Sequence, residues 1–110
     1  MKKHVVFDPK ASKEIKQFSK TVRNKFTALI IVLERDGNLE EPVAKKINKQ
    51  LFELRVKYQG QYRALYCYHL SNHIIILSAF HKKSQKTPHQ EIDKAMKRLT
   101  KYQYSLNDEK

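Results

Sequence analysis

Arg55, Arg63, His81, Lys82, Lys83 and Lys86 are the residues of this 110-residue chain whose types and spacing can do chemistry together, with Tyr58 and Tyr62 beside them. Metal-free cleavage of RNA asks for this mixture. The ribose 2′-hydroxyl attacks its own phosphate, so the protein supplies a base, a cationic cradle and an acid for the leaving 5′-oxygen. Arginine suits the cradle because its planar fork grips two phosphate oxygens at once. A lysine among other cations has a depressed pKa and can move a proton, and histidine titrates near neutrality. Tyrosine rings stack on unpaired bases. Lys45, Lys46 and Lys57, with Tyr58 and Lys82, are expected to contact the RNA. Simpler roles stand beside these: Arg55 can pair with Glu53, the 81–86 run can be a solvated loop, and Tyr66 and Tyr68 read as sheet packing.

Other chemistries find little support. Between residues 45 and 101 the only carboxylates are Glu53, Glu91 and Asp93, too few for a two-metal nuclease. Cys67, His69 and His73 form the one conceivable zinc set, and alternating strand positions suit packing better, so neither metal nor cofactor is expected. No phosphate-binding glycine loop or nucleophile elbow occurs.

The charge agrees with an anionic partner. The chain has 23 Lys and Arg against 11 Asp and Glu, a net +12, and most of the surplus lies between residues 45 and 101. Such a concentration is the footprint of a phosphate-binding surface. A single cysteine, no apolar leader after Lys2-Lys3, and a longest apolar run of only Ile74–Phe80 lead us to expect a soluble, cytoplasmic protein with no membrane partner.

The elements that must carry these residues follow from periodicity. His4-Val5-Val6-Phe7 reads as a strand that stops at Asp8-Pro9, a helix-start pair. Ile15, Phe18, Val22, Phe26, Leu29 and Leu33 recur at the helical period, as one long helix or as a hairpin with Ser19 or Thr21 capping the second. Gly37 ends it. Residues 39–50 read as a loop, with a short helical turn around Val43–Ile47. Leu51–Tyr58, Tyr62–Leu70 and Ile74–His81 form an antiparallel meander whose third strand, the most apolar, is placed inside the sheet. Thr87 as N-cap and Pro88 at the first position open a last helix with Ile92, Ala95, Met96, Leu99 and Tyr102 on one face. The result is an α+β domain over residues 1–104, with 105–110 as a flexible tail. The helical hairpin covers one face of the sheet, and Glu53, Arg55 and Lys57 occupy the other. Alternation points Arg63 the same way as Leu65 and Cys67, while register alone decides whether Arg55 joins it.

Glu53-Leu54-Arg55, then Tyr62-Arg63, then Phe80-His81-Lys82-Lys83 with Lys86-Thr87-Pro88, then Glu91-Ile92 and Ala95, resemble in order and spacing the RelE/ParE toxin superfamily, in its HigB-like, phage-derived Gp49-like branch. The resemblance spans nearly the whole chain. It implies the toxin of a type II toxin–antitoxin system, an endoribonuclease that cuts messenger RNA on the ribosome without a metal. It implies phosphate-handling arginines at Arg63 and Arg55, a basic pair at Lys82 and Lys83, and Lys86 downstream. The implied partner is a HigA-like helix-turn-helix antitoxin, with operator DNA reached only through the complex. Relatives place a Tyr or His near the C-terminus as base or stacking group. Here Tyr102 and Tyr104 lie beyond most of the last helix, which leaves His81 as the local candidate. The alternatives are a ParE-like inhibitor of DNA gyrase and a non-catalytic RNA-binding or regulatory module.

Overall fold

The computed structural model describes residues 2–83 and 86–108, with side chains up to Gln103. Strand β1 (His4–Phe7) leads into helix α1 (Pro9–Lys16), α2 (Lys20–Asp36), β2 (Ala44–Lys46), β3 (Phe52–Lys57), β4 (Gln61–His69), β5 (His73–Lys82) and α3 (His89–Asp108). The helical period resolves as a hairpin. Asp8 caps α1 by accepting from Lys10 N at 2.8 Å, with Pro9 at the first position. Ser19, not Thr21, caps α2 by accepting from Val22 N, and Gly37 closes it at φ 82°, donating to Leu33 O. Each of the two N-caps stabilises its helix by about 1 kcal/mol.

The five strands lie in the order β1-β5-β4-β3-β2. The β3–β4–β5 meander is antiparallel, and β1 joins β5 in parallel. The outer edge of β1 is covered by Glu34, whose carboxylate accepts from Val5 N at 3.0 Å.

Residues 44–46 are a strand and not part of a loop or helical turn. They pair with β3 through Ala44↔Leu54, Lys45↔Glu53 and Lys46↔Phe52. The outer backbone groups of β3 need partners, and this segment supplies them while sinking Ala44 into the core.

Both faces of the sheet are covered, but differently. The helical hairpin lays Ala11, Val22, Phe26 and Leu33 over Leu54, Val56, Ala64, Tyr66, Ile74 and Ile76. On the other face α3 lays Ala95 and Leu99 over Leu65, Cys67, Ile75, Leu77 and Phe80, with Ile92, Met96 and Tyr102 around them. This double covering is why β5 is apolar from Ile74 to Leu77. Helix α3 stops short of β3, so the polar face of β3 stays uncovered by it. The backbone of α3 runs through Asp108, into the stretch 105–110 expected as a tail; the side chains from Tyr104 onward and residues 109–110 lie outside the described residues.

Ion pairs hold α3 against α1. Arg98 grips Glu14 through both Nη atoms at 2.9 and 3.1 Å and also donates to Leu77 O, and Lys94 meets Glu14 at 3.0 Å. The buried Asp8 accepts from Tyr102 Oη at 2.8 Å and Lys101 Nζ at 3.2 Å. Burial works to raise both carboxyls. The Tyr102 hydroxyl, Lys10 N–H and Lys101 outweigh it at Asp8, and Arg98 and Lys94 outweigh it at Glu14, so both sit below their ordinary values.

One irregularity governs what β5 presents. Leu65 pairs with Ser78, but Tyr66 pairs with Ile76, so Leu77 is an extra residue in a β-bulge. Ile75 and Leu77 face α3, and beyond the bulge the parity changes. Phe80 and Lys82 then face that side, while Ala79 and His81 face the helical hairpin.

Candidate functional site

The uncovered part of the α3 face is a small grid of cross-strand neighbours. Lys57, Gln61 and Lys82 form its outer row, and Arg55, Arg63 and Phe80 the next. Lys45, Glu53 and Leu65 form the third, running in under α3. Five cations therefore surround one carboxylate. Arg55 and Arg63 stand directly opposite each other, so register does bring them to a common face. Like charges in that relation repel, and Glu53 offsets the repulsion.

Glu53 is fully buried. Its Oε1 accepts from Arg55 Nε at 3.1 Å and lies 3.2 Å from Arg63 Nε. The second contact is an ion pair out of line for a hydrogen bond, so Arg63 Nε has no aligned acceptor. Glu53 Oε2 accepts a short hydrogen bond from the Thr87 hydroxyl. Arg63 Nη1 donates to Tyr62 O at 3.1 Å. The two arginines differ in access: 28% of the Arg55 side chain is exposed against 7% for Arg63. Arg63 is thus the deeper member, and burial, offset by Glu53, lowers its pKa. A guanidinium remains charged nonetheless.

Lys82 is half-buried in the same field. Burial lowers its pKa, Arg63 adds to the effect, Glu53 opposes it, and Arg55 and Lys45 add further. An ammonium so placed gives up its proton more readily than a solvated lysine. Two fixed guanidiniums can hold a phosphate and stabilise extra charge on it, and a neighbouring lysine of lowered pKa can protonate a leaving oxygen.

The remaining expected residues divide. Lys45 and Lys57 lie on the grid, both exposed; Lys83 and Lys86 are exposed near its rim, separated by residues 84–85 outside the described set. Tyr58 stands at the hairpin end of β3, 37% exposed, with Lys25 of α2 at 6.0 Å from its ring. Lys46 and His81 are not brought to the arginines. Lys46 sits 5.9 Å from the Phe52 ring, on the other face. His81 stacks on Tyr62 at 4.6 Å and 14°, and Tyr62 in turn meets Phe18 of the hairpin. The bulge puts it there. His81 also packs against Gly60, φ 139°, where an added Cβ would lie 2.9 Å from Nε2.

Sequence reasoning offered the Glu53–Arg55 pair, which the structure forms, but missed two features of the site. Glu53 read as part of a polar face, and its full burial and its sharing with Arg63 were not foreseen. Thr87 read as a helix cap; its hydroxyl goes to Glu53 instead, and Pro88 O accepts the first bonds of α3. Tyr102 is engaged elsewhere: its hydroxyl donates to Asp8, and burial, reinforced by Asp8, has its pKa pushed up to about 12. Cys67 is a core residue whose thiol burial pushes up to about 11. Among the described residues no three His, Cys, Asp or Glu side chains converge as a metal site.

Comparisons with known proteins agree with this architecture. Residues 13–100 match the family model "Phage derived protein Gp49-like (DUF891)". None of the curated proteins is a significant match. Among solved structures, the Escherichia coli toxin RelE, a double-arginine mutant in the free state, superposes with a TM-score of 0.71 at 19% identity, covering 90% of this chain and 99% of that one. The toxin–antitoxin complex RelBE2 of Mycobacterium tuberculosis gives 0.59 at 18% identity, over 74% of this chain and 100% of the other. The intact E. coli RelBE complex gives 0.61 at 17%, over 74% and 99%. The chain thus belongs to the phage-derived Gp49-like family, and its fold is that of the RelE toxins.

Proposed function

We propose that this chain is the toxin of a type II toxin–antitoxin pair and cleaves messenger RNA on the ribosome without a metal. What carries the proposal is the pair Arg55 and Arg63, set side by side over the buried Glu53 with Lys82 next to them. Arg55 and Arg63 hold the scissile phosphate and stabilise the charge that builds as the 2′-oxygen attacks. As the 2′-oxygen bonds to phosphorus its proton passes to solvent water, the P–O5′ bond breaks to leave a 2′,3′-cyclic phosphate, and Lys82 gives a proton to the departing 5′-oxygen. Lys45, Lys57, Lys83 and Lys86 track the flanking phosphates, and Tyr58, turned toward Lys25 of α2, is left out of the contact. His81 and Lys46 have no part in the chemistry, because they face away from the arginines.

The partner we propose is a HigA-like helix-turn-helix antitoxin whose acidic segment covers the grid; operator DNA is bound only through that complex. Solved relatives of this fold occur as complexes with an antitoxin, which supports the pairing. The protein works where ribosomes are, in the cytoplasm. Among the described residues no helix is long and apolar enough to cross a membrane.

Primer extension on cellular mRNA after induced expression tests the activity. Discrete cuts inside translated codons are expected. Intact mRNA together with gyrase-dependent DNA damage would overturn the proposal in favour of a ParE-like gyrase inhibitor.

A further inference from the structure

Glu53 is a buried carboxylate that neither phosphate binding nor proton transfer requires. An ion pair taken out of water is seldom more stabilising than apolar side chains of the same volume. Position 53 has apolar Leu65 as its cross-strand partner and could hold such a residue. Instead the carboxylate is used at both oxygens. Oε1 meets the Nε atoms of Arg55 and Arg63, and Oε2 takes the Thr87 hydroxyl just ahead of α3. The contacts to the arginines use their Nε atoms. Among the described residues, neither Nη of Arg55 has a protein acceptor, while Arg63 is fixed a second time through Tyr62 O.

We infer that Glu53 is the positioning residue of this site, holding the two opposed guanidiniums together with their outer nitrogens available to phosphate, and that Thr87 fixes the Glu53 carboxylate in the orientation this requires. The inference rests on the endoribonuclease reading for its catalytic consequence, but the geometry can be tested without RNA. Thr87 does not touch substrate. Removing its hydroxyl frees the carboxylate to turn, and the arginine pair loses its alignment. A phosphate clamp misplaced by about 1 Å costs on the order of 100-fold in rate.

The experiment uses the full chain in four forms: parent, Thr87→Val, Thr87→Ser and Glu53→Gln. Two quantities are read: single-turnover cleavage of mRNA on programmed ribosomes, and the Nε–H resonances of Arg55 and Arg63 in the RNA-free protein. For Thr87→Val we expect the rate to fall about 10-fold with KM changed less than about threefold, the pattern of an interaction expressed in the transition state. Both Nε–H signals should shift and exchange faster with solvent. Thr87→Ser should recover both quantities. Glu53→Gln should lose about 100-fold in rate and the two signals together. If it does not fold, Thr87→Val against Thr87→Ser decides. Parent-like rate and parent-like Nε–H signals in Thr87→Val would overturn the inference, as would Thr87→Ser behaving like Thr87→Val. If the parent cleaves no mRNA at all, the functional reading fails; unchanged arginine signals in Thr87→Val and Glu53→Gln would then separately reject the positioning role.

Discussion

The two faces of the sheet solve the same problem in opposite ways. The face under the helical hairpin is apolar from Ala44 to Ile74, its buried polar members Tyr62, Tyr66 and Tyr68 are aromatic, and Lys46 and His81 stand exposed at its margins. The other face is divided. Its α3 half is as apolar as the first, and its β3 half keeps five cations and a buried carboxylate. One face is packed for stability; in the function proposed above, the divided face takes RNA where its helix stops. Even α3 is attached differently: part of its grip on α1 is ionic, through Glu14 and Asp8, whereas the hairpin is held by its apolar stripe.

The sharpest way to break this division is to remove a charge from the β3 half. Arg55→Ala should lower mRNA cleavage about 100- to 1000-fold and cost about 1–3 kcal/mol of stability, because it takes the aligned arginine hydrogen bond from the buried Glu53. Arg63→Ala should lose cleavage to a similar degree and also unfold more easily, by about 3 kcal/mol, since it strips a buried carboxylate of a partner. A melt and a cleavage assay on the two variants separate access from support. The converse experiment is on the hairpin face. Phe26→Ala empties a fully buried site and should cost about 3–5 kcal/mol in chemical denaturation, while the folded fraction cleaves at the parental rate.

Lys82→Met against His81→Ala tests the face assignment along a single strand. We expect a loss of about 10- to 100-fold for the lysine and less than about twofold for the histidine. The parental pH–rate profile should fall on its alkaline side below the ordinary lysine value of about 10.4, because the proposed proton donor, Lys82, has a lowered pKa.

The smallest effect concerns the ionic attachment of α3. Asp8 and Glu14 have folded pKa values below their unfolded ones, so their contribution is complete above about pH 4 and is lost as pH falls through the folded values. Stability measured by denaturant unfolding should therefore fall more between about pH 6 and about pH 2 in the parent than in Glu14→Gln, which lacks the titrating carboxyl and is less stable from the start.

Much of the hairpin face was legible from residue types, because the spacing of Ile15, Phe18, Val22, Phe26, Leu29 and Leu33 reports a helix and its buried side together. The three meander strands and the apolar face of α3 were legible for the same reason. The site was legible in composition but not in arrangement. That Arg55 faces Arg63 depends on a register set by the whole β3–β4 hairpin. Strand β2 exists because β3 needs a partner, and nothing in Ala44-Lys45-Lys46 announces it. Thr87 had a local explanation as a cap, and the nonlocal bond to Glu53 replaced it. His81 was chosen for its chemistry and its place in the signature, and neither announces the unpaired residue that turns it to the other face.

That unpaired residue gives β5 slack. A one-residue deletion between Leu77 and Ala79 can be absorbed by straightening the bulge, leaving Lys82 on the same side as Arg63. Strand β4 keeps its regular partners from Gln61 to Leu65 on both sides. A deletion at Ala64 would send Arg63 into the hydrophobic layer beneath α1 and α2. Changes of chain length are therefore silent at the site in one strand and ruinous in its neighbour.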